Sequence, residues 1–531
     1  MTAFSNLARR FSSIVVAIPI AFALAAGCSG KKSDETPPQA AQPSGPAAQT
    51  GTPVSEAASQ SQPVPDEPLP EVGSPYDVLP EAARAVLDQP FTGDLDEMIK
   101  RRVIRAGVTF NRTHYFIDAG QQRGIAYESL VNFEEELNKR LKTGNLKVHV
   151  AFVPLPRDMM IPALTEGKVD LLAATLTVTP ERQKVVDFTN PTRTNVKEIV
   201  VTGPGAPAMA TIDDLSGKEV FVRKSSSYYE SLVALNDQLE AKGKPPVVIK
   251  PAPENLEDDD ILEMINAGLV QATVVDDYVA GFWKQVFPNL VMHPDLAVRT
   301  GGNIAVAIRK GSPKLKAAAN EWLKKGGEKT AFANILQKRY LQSTNYVNNA
   351  ASEAERKKLI QLIQLFRKYA GQYGVDPLLM AAQGYQESRL DQNVKSHVGA
   401  IGVMQLMPAT GAEQKVGDIT QLEPNIHAGI KYMRFMINQY YKDEPMTPLN
   451  KALMTFASYN AGPGRIRQLR REAEKRGLDK NVWFGNVERV ASEKIGRETV
   501  TYVSNIYKYY VAYTLVVERL EAEGRLPKPT S

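Results

Sequence analysis

Cysteine, histidine and an excess of charge of one sign are all scarce in this sequence. It contains 1 cysteine and 5 histidines in 531 residues. One cysteine excludes an intramolecular disulfide framework and a multi-cysteine zinc site. The histidines form no His-x-x-x-His pair, so neither a metal-centred mechanism nor another cofactor is expected. The 64 Lys and Arg against 59 Asp and Glu leave +5, which is too small a bias to indicate a nucleic-acid partner.

The composition is that of a largely globular chain with several domains. Hydrophobic residues make up 43% and charged residues 23% of the sequence. A length of 531 residues exceeds what one compact core usually holds. We therefore expect more than one folded domain.

Residues 1–28 have the features of a targeting segment. An arginine pair precedes an apolar run over residues 14–26, which is too short for a permanent transmembrane helix. The run ends in Leu-Ala-Ala-Gly-Cys, which resembles the lipobox of bacterial lipoproteins. The resemblance implies that Cys28 is lipidated and becomes the first mature residue, and Ser29 favours the outer membrane. The alternative is an ordinary cleaved signal with an incidental cysteine.

Residues 29–90 are expected to form a disordered tether. To about Pro80 the sequence is dominated by Pro, Ala, Ser, Gln and Gly. Such a segment buries too little apolar surface to offset the entropy of ordering. The tether would lift the folded part away from the membrane.

Residues 91–344 alternate short β-rich runs with helical patterns. Residues 103–108 predict a strand, and residues 126–141 predict a helix with Leu130, Phe133 and Leu137 on one face. Further strands are predicted at 147–153, 169–174, 198–202, 219–222, 247–249, 272–275 and 303–308. This alternation indicates an α/β fold with largely parallel sheets, in two lobes joined by crossover strands.

Strand-like patterns disappear over residues 353–525. Leu359, Ile363, Phe366 and Ala370 recur at helical spacing, and similar series follow. The region is predicted to be all-α, with short helices around glycine-rich loops. Residues 345–352 are the expected boundary.

A motif in the first folded region resembles the family 3 solute-binding proteins. Residues 170–189, DLLAATLTVTPERQKVVDFT, carry it. The resemblance implies a two-lobed periplasmic-binding-protein-like fold for residues 91–344. Its ligand would be an amino acid or a cell-wall peptide.

Several polar residues in this region suit such a ligand. Thr175 and Thr177 end a predicted strand, and Arg182 can grip a carboxylate with two parallel hydrogen bonds. Ser226 lies in a serine run between a strand and a helix, and Asp276 ends another strand. The resemblance implies that Arg182 and Thr177 hold an α-carboxylate and that Asp276, or less readily Asp277, holds the α-amino group.

Purely structural roles are alternatives for the same residues. Arg182 could pair with Glu181 or Asp187, and Ser226 could only cap a helix. Asp276 could cap the helix after it. The acidic run at residues 257–260 has no calcium-loop spacing and is expected to be a solvated loop.

Four motifs in the second region together resemble the catalytic domain of soluble-type murein lytic transglycosylases, which are related to goose-type lysozyme. They are QGYQESRLD at 383–391, GAIGVMQLMPAT at 399–410, SYNAGPG at 458–464 and ETVTYV at 498–503. The resemblance implies a lysozyme-like all-α fold and peptidoglycan glycan strands as the substrate.

Glu387 is the predicted general acid. An apolar helix precedes it, and an apolar site raises a carboxyl pKa. Most glycosidases need a second carboxylate, and none is equally placed. Asp391, expected one turn on in the same helix, more readily caps or pairs with Arg389 or Lys395. The resemblance implies that the C6 hydroxyl of N-acetylmuramic acid (MurNAc) attacks C1 and leaves a 1,6-anhydro end.

The resemblance also implies a set of substrate-binding residues. These are Ser388, Gln405, Met407, Tyr459, Asn460 and Tyr502. The glycines of the second motif would let the backbone approach a sugar closely. Core packing was the alternative for Met404 and Met407, and a structural turn was the alternative for Tyr459 and Asn460.

The sequence thus predicts a lipid-anchored enzyme on the periplasmic face of the outer membrane. It would cleave the β-1,4 bond between MurNAc and N-acetylglucosamine (GlcNAc). Ligand binding to the N-terminal region would regulate it. A lysozyme-like hydrolase and a non-catalytic cell-wall sensor remain the alternatives.

Overall fold

The chain is described here by a computed structural model that covers Tyr76 and residues 79–87, 89–111, 113–118, 121–326 and 353–527. All of these residues belong to one compact unit. The predicted signal peptide with Cys28, most of the tether and the boundary at 345–352 lie outside the described residues.

The N-terminal region is built on a mixed β-sheet. Its strands are β1 Val103–Val108, β2 Phe116–Asp118, β3 Gln121–Arg123, β4 His149–Pro154, β5 Leu171–Thr177, β6 Val186–Phe188, β7 Arg193–Thr202, β8 Glu219–Arg223, β9 Val248–Ala252, β10 Ala272–Asp276 and β11 Val291–Arg309. The main sheet has the order β10-β7-β11-β5-β1-β4, with β6 paired to β11. Strands β8 and β9 pair separately, in parallel.

Strand direction is where the sheet differs from the prediction. β1 runs parallel to β4 and β5, as expected. β11 is antiparallel to β5, β6 and β7, and β10 is antiparallel to β7. The prediction of largely parallel sheets is therefore wrong. The reason is that β11 is long enough to pair first with β7 and then with β5, which makes it a crossover between two lobes. The two-lobed α/β architecture itself is confirmed.

Helices cover the sheet in this region. They are α1 Glu81–Arg84, α2 Leu95–Arg101, α3 Ile125–Leu141, α4 Met160–Thr165, α5 Pro180–Val185, α6 Ser227–Ala241, α7 Asp258–Asn266, α8 Asp277–Lys284 and α9 Pro313–Gly326. Leu130, Phe133 and Leu137 of α3 are buried on one face. This confirms the helical period read from the sequence.

Two segments that were expected to be solvated are packed. Leu79 and Ala83 are buried against Val103 and Ala151, so ordered structure begins before residue 91. The acidic run at 257–260 is not a solvated loop. Glu257 is buried and its side chain caps α7, because the first turn of a helix has free N–H groups that favour an acidic partner.

The C-terminal region is helical, as predicted. Its helices are α10 Glu353–Tyr373, α11 Pro377–Ser388, α12 Pro408–Glu413, α13 Leu422–Tyr440, α14 Pro448–Ala461, α15 Pro463–Lys475, α16 Glu488–Lys494 and α17 Arg497–Ala522. The long helix α17 packs against α11 and α14. Within the described ranges, no helix has the length and apolar character needed to cross a membrane.

Candidate active site and ligand cleft

Glu387 lies in the last turn of α11. Asp376 caps the start of this helix by accepting hydrogen bonds from the N–H groups of Leu378 and Leu379, at 2.8 and 3.1 Å. The helix ends at Ser388, and its C-cap residue Arg389 is in the left-handed conformation with φ 55°. Glu387 is therefore the second-last residue of the helix.

The Glu387 carboxyl is desolvated, and among the described residues its hydrogen-bond partner is the hydroxyl of Tyr502. The hydroxyl of Tyr502 on α17 donates to Glu387 Oε1 over 2.5 Å. Burial raises the pKa of Glu387 to about 7, against the lowering effect of that hydrogen bond. The residue keeps partial exposure. A carboxyl with these properties is protonated over much of the neutral range and can serve as a general acid.

No other charged group, within the part of the chain that is described, contributes to the pKa shift of Glu387. Asp391 is not on the same helix, because α11 has already ended at Ser388. Its carboxylate instead accepts from the backbone N–H of Asn393 at 2.9 Å. The expected helical position of Asp391 is therefore wrong.

Gln383 is a residue of the first motif for which the sequence analysis predicts no role. It lies one helical turn before Glu387 and is buried. Its side chain is hydrogen-bonded to the Tyr502 hydroxyl, while its own Oε1 has no partner. Gln383 therefore fixes the group that holds the acid. The i, i+4 spacing to Glu387 on one helix was the signal available in the sequence.

Tyr459 and Asn460 come to the same place at the end of α14. The Tyr459 hydroxyl donates to the carbonyl oxygens of Met404 and Gln405, at 3.1 and 3.3 Å. Burial, and secondarily the charge of Glu387, raises the pKa of Tyr459 well above its usual value. Asn460 Oδ1 accepts from the Thr499 hydroxyl at 2.6 Å.

Ser388 and Gln405 direct polar atoms into the protein. The buried Ser388 hydroxyl donates to the carbonyls of Gly384 and Val403, at 3.1 and 2.9 Å. Gln405 Nε2 donates to the carbonyls of Val394 and Gly402, at 3.1 and 2.8 Å. Ser388 thus attaches the 394–405 loop to α11, whereas Gln405 links two parts of the loop to each other. Substrate binding by either stays a prediction.

The two methionines of the second motif differ in exposure. Met404 is buried, which agrees with the core-packing alternative, whereas Met407 is 43% exposed. The position that a Cβ on Gly402 would occupy is filled by other side chains of the protein. Such a Cβ would lie 2.5 Å from the side-chain nitrogens of Asn425 and Gln392. Its positive φ of 76° and this crowding explain the glycine through internal packing.

The five ligand-site residues predicted in the N-terminal region line one cavity. Thr175, Thr177, Arg182, Ser226 and Asp276 all line the same cavity between the lobes. Concave sites with a few converging polar groups are typical of small-ligand binding. The strand ends that carry these residues meet there, although the residues are far apart in the sequence.

Part of the hydrogen-bonding capacity of Arg182 is already used within the protein. It donates from Nη1 to the Thr177 carbonyl at 3.0 Å and from Nη2 to the Ser225 carbonyl at 2.9 Å. Its ionic neighbour is Glu230, with Nε 3.6 Å from Oε1, rather than the expected alternatives. Glu181 pairs with Lys184 instead.

Ser226 and Thr175 also make local hydrogen bonds. Ser226 is the N-cap of α6 and accepts from the N–H of Tyr229 at 3.2 Å, which agrees with the capping alternative. Thr175 donates to the Ala174 carbonyl at 2.7 Å. The Thr177 hydroxyl accepts from Ser227 at 3.1 Å.

Asp276 has a side-chain hydrogen bond with Tyr278, and with Arg223 it is one of two cavity-lining residues that carry a buried polar atom without a hydrogen-bond partner in the described chain. It is 2% exposed and its Oδ1 has no hydrogen-bond partner. Its side chain makes no cap to α8, so the capping alternative is wrong. Burial raises the pKa of Asp276 well above its usual value, and nearby Asp258 adds to this. A cation placed beside Asp276 would lower its pKa again.

Two further arginines line the cavity and were missed in the sequence. Arg157 pairs with Glu257 at 2.7 Å, and Arg223 pairs with Asp258 at 2.5 Å. Burial lowers the pKa of nearby His114 to about 4. Arg157 follows the end of β4 and Arg223 is the last residue of β8, and this position at strand ends was the signal that could have placed them.

Comparison with known proteins matches both regions. Residues 104–342 match the family model of bacterial extracellular solute-binding proteins, family 3. Residues 364–482 match the model of the transglycosylase SLT domain. The chain therefore carries these two domains in this order, as the motifs predict.

Relatives align along most of the chain. A "Membrane-bound lytic murein transglycosylase F" of Desulfosudis oleivorans is 27% identical over 404 residues, covering 73% of this chain and 86% of the relative. One of the same name from Pseudomonas fluorescens strain Pf0-1 is 29% identical over 472 residues, covering 83% and 92%. Both alignments are longer than either matched region alone.

A comparison with solved structures also found similar chains. A Streptococcus pneumoniae amino acid ABC transporter substrate-binding protein bound to L-arginine is 20% identical. It covers 47% of this chain and 98% of its own, with a TM-score of 0.38.

Proposed function

We propose, from the premise that this chain is a peptidoglycan lytic transglycosylase, that Glu387 cleaves the MurNAc–GlcNAc β-1,4 bond and leaves a 1,6-anhydro-MurNAc end. The observation that carries the proposal is the isolated carboxyl of Glu387. Its pKa is raised to about 7, and its one hydrogen bond comes from Tyr502. An acid without a second carboxylate suits a reaction in which the substrate supplies the nucleophile.

The reaction balances without water. Glu387 gives its proton to the glycosidic oxygen as the bond from that oxygen to C1 of MurNAc breaks. The C6 hydroxyl of the same MurNAc then bonds to C1, and its proton returns to the Glu387 carboxylate. Tyr502 donates to that carboxylate while it is charged, which lowers the free energy of the charged state.

The proposed product separates this reaction from hydrolysis. Purified sacculi are digested with the protein and the released muropeptides are analysed by mass spectrometry. We expect anhydro ends. Reducing ends that carry one additional water would contradict the proposal and favour the lysozyme-like hydrolase. A failure to clear a peptidoglycan zymogram would favour the non-catalytic sensor.

For the N-terminal region we propose an amino-acid or cell-wall-peptide ligand. Asp276 would receive the α-ammonium group, since its buried Oδ1 has no other partner. Arg182 and Thr177 would receive the carboxylate. Arg182 uses two N–H groups for carbonyls, and a guanidinium has five to give. Titration calorimetry with peptides released from sacculi should show weaker binding by Arg182→Ala. Equal affinity would refute the carboxylate clamp.

We also propose that the ligand regulates the catalytic domain through α7 and α17. The first residues of α7 line the ligand cavity. Glu263, near its other end, pairs with Lys508 of α17 at 2.6 Å, and both side chains are buried. Tyr502 lies on the same helix α17 as Lys508. A ligand can shift the active site by this route only if it binds two arrangements unequally.

The membrane attachment is proposed from the sequence. Lipid on Cys28 would hold the chain on the periplasmic face of the outer membrane, since acyl chains bind bilayers in proportion to their length. The relatives are named as membrane-bound. Cys28→Ala should move the protein from the outer-membrane fraction to the soluble fraction. Unchanged fractionation would contradict a lipid anchor at this cysteine.

A further inference from the structure

Three aromatic rings form a row that begins at the catalytic site. Tyr459, beside Glu387, contacts the ring of Tyr432 edge to face, with centroids 6.0 Å apart. Tyr432 in turn stacks on Phe435, with centroids 6.2 Å apart and an angle of 18° between the rings. The row therefore continues from the acid onto helix α13.

The inner end of the row is fixed by close packing. Gly429 on α13 lies against Met404, since a Cβ on it would be 2.6 Å from Met404 Cγ. Tyr459 is bound to the same loop through the Met404 carbonyl. Tyr432 follows Gly429 by three residues, so it occupies the same side of α13 about one turn further along.

The outer end of the row is open to solvent. Phe435 is 52% exposed. A single exposed apolar residue is ordinary. Phe435 is different because its ring lies nearly parallel to that of Tyr432. Tyr432 in turn contacts Tyr459 at the catalytic site. A fixed aromatic face in such a place is a ready surface for a flat apolar group.

We propose that Tyr432 and Phe435, here called the aromatic platform, bind a sugar ring of the glycan strand at a distance from the bond that Glu387 cleaves. The inference rests on the proposed function, which brings a glycan strand to Glu387. One face of a pyranose ring presents C–H groups with partial positive charge, and the aromatic face is negative. The platform thus adds affinity for long strands and plays no part in the chemical step.

Kinetics with strands of two lengths test the platform. Peptide-free glycan strands and a purified tetrasaccharide serve as substrates for Phe435→Ala, Phe435→Leu and Phe435→Trp. On long strands we expect KM to rise about three- to tenfold for the Ala and Leu variants, with kcat unchanged. Phe435→Trp should stay near the wild type. The tetrasaccharide should show no difference among the proteins.

A matched control lies on another helix of the same domain. Ile360 on α10 is 37% exposed, and Ile360→Ala should leave both substrates unaffected. A KM for long strands that is unchanged in Phe435→Ala overturns the platform. A loss in Ala that Leu restores also overturns it, because it would show a general apolar contact, such as one with a protein partner.

Binding separates failure of the platform from failure of the proposed function. If the wild type cleaves neither substrate, the proposed function fails. Co-sedimentation with insoluble peptide-free glycan, measured in a Glu387→Gln background, still tests the platform. We expect Phe435→Ala to weaken retention about three- to tenfold. Equal retention with and without the Phe435 ring overturns the inference.

Discussion

At the residue scale, the isolation of Glu387 makes its removal decisive. We expect Glu387→Gln to lower turnover of sacculi by about a hundredfold to ten-thousandfold, because an amide cannot donate an acidic proton. Glu488 offers a matched control. Burial raises the pKa of Glu488 to about 7 as well, but its one hydrogen bond comes from the Gly485 N–H. Glu488→Gln should retain turnover, and retained turnover in Glu387→Gln would remove Glu387 from its role.

The same residue sets the pH dependence. A general acid must be protonated, so kcat/KM should fall as pH rises through the pKa of Glu387, about 7. The Tyr502 hydrogen bond lowers that pKa. In Tyr502→Phe the alkaline limb should therefore move to higher pH while the maximal rate falls, since the carboxylate loses its donor. The pH–rate profiles of both proteins check this, and a limb that moves to lower pH would contradict it.

At the scale of elements, the turn that follows α11 depends on Gly402. Its φ is 76°, and a Cβ would crowd Asn425 and Gln392. We expect Gly402→Ala to lower the free energy of unfolding by about 1–3 kcal/mol. Gly464 in α15 has open space around its Cβ position, so Gly464→Ala should be neutral or slightly stabilising. Thermal unfolding compares the two, and equal stability would contradict the packing role of Gly402.

The sequence predicts site residues best where the motif that indicates them lies within one helix or strand. Glu387 follows from a motif on a single helix, and the strand ends that carry Arg182 and Asp276 follow from short local patterns. The partners of these residues come from remote parts of the chain. Glu230 lies beside Arg182, and the Val403 carbonyl accepts a hydrogen bond from the Ser388 hydroxyl. Neither contact has a local sequence signal. The sequence therefore could not predict that Arg182 and Ser388 already have partners within the protein.

Helix and strand ends set a further limit. Asp391 was expected on the helix of Glu387, yet Arg389 and Leu390 both adopt positive φ. Neither residue is a glycine, so local propensity did not indicate the break. Likewise, the run of strand patterns gave no direction for β11, because direction depends on its long-range pairing with β5 and β7.

At the scale of the whole molecule, the buried Lys508–Glu263 pair joins the two regions. Replacing one member removes a buried ionic contact of 2.6 Å from the other, and Lys508 would keep the longer contact of 3.8 Å to Asp260. We expect Lys508→Met or Glu263→Met alone to lower the free energy of unfolding by about 3–5 kcal/mol. The double variant should recover most of that loss, because neither charge remains. Denaturant titration of the four proteins gives the coupling, and additive losses would contradict it.

The same double variant tests whether the pair transmits the state of the ligand cavity. It leaves the cavity residues Arg182 and Asp276 in place, so calorimetric affinity for peptides released from sacculi should be retained. If α7 and α17 carry the coupling, those peptides should change the rate of sacculus cleavage by the wild type. The peptides should then change the cleavage rate of the double variant less than that of the wild type. The difference measures the part of the coupling free energy that the pair supplies. A double variant that responds to the peptides as strongly as the wild type would show that the two regions communicate through other contacts.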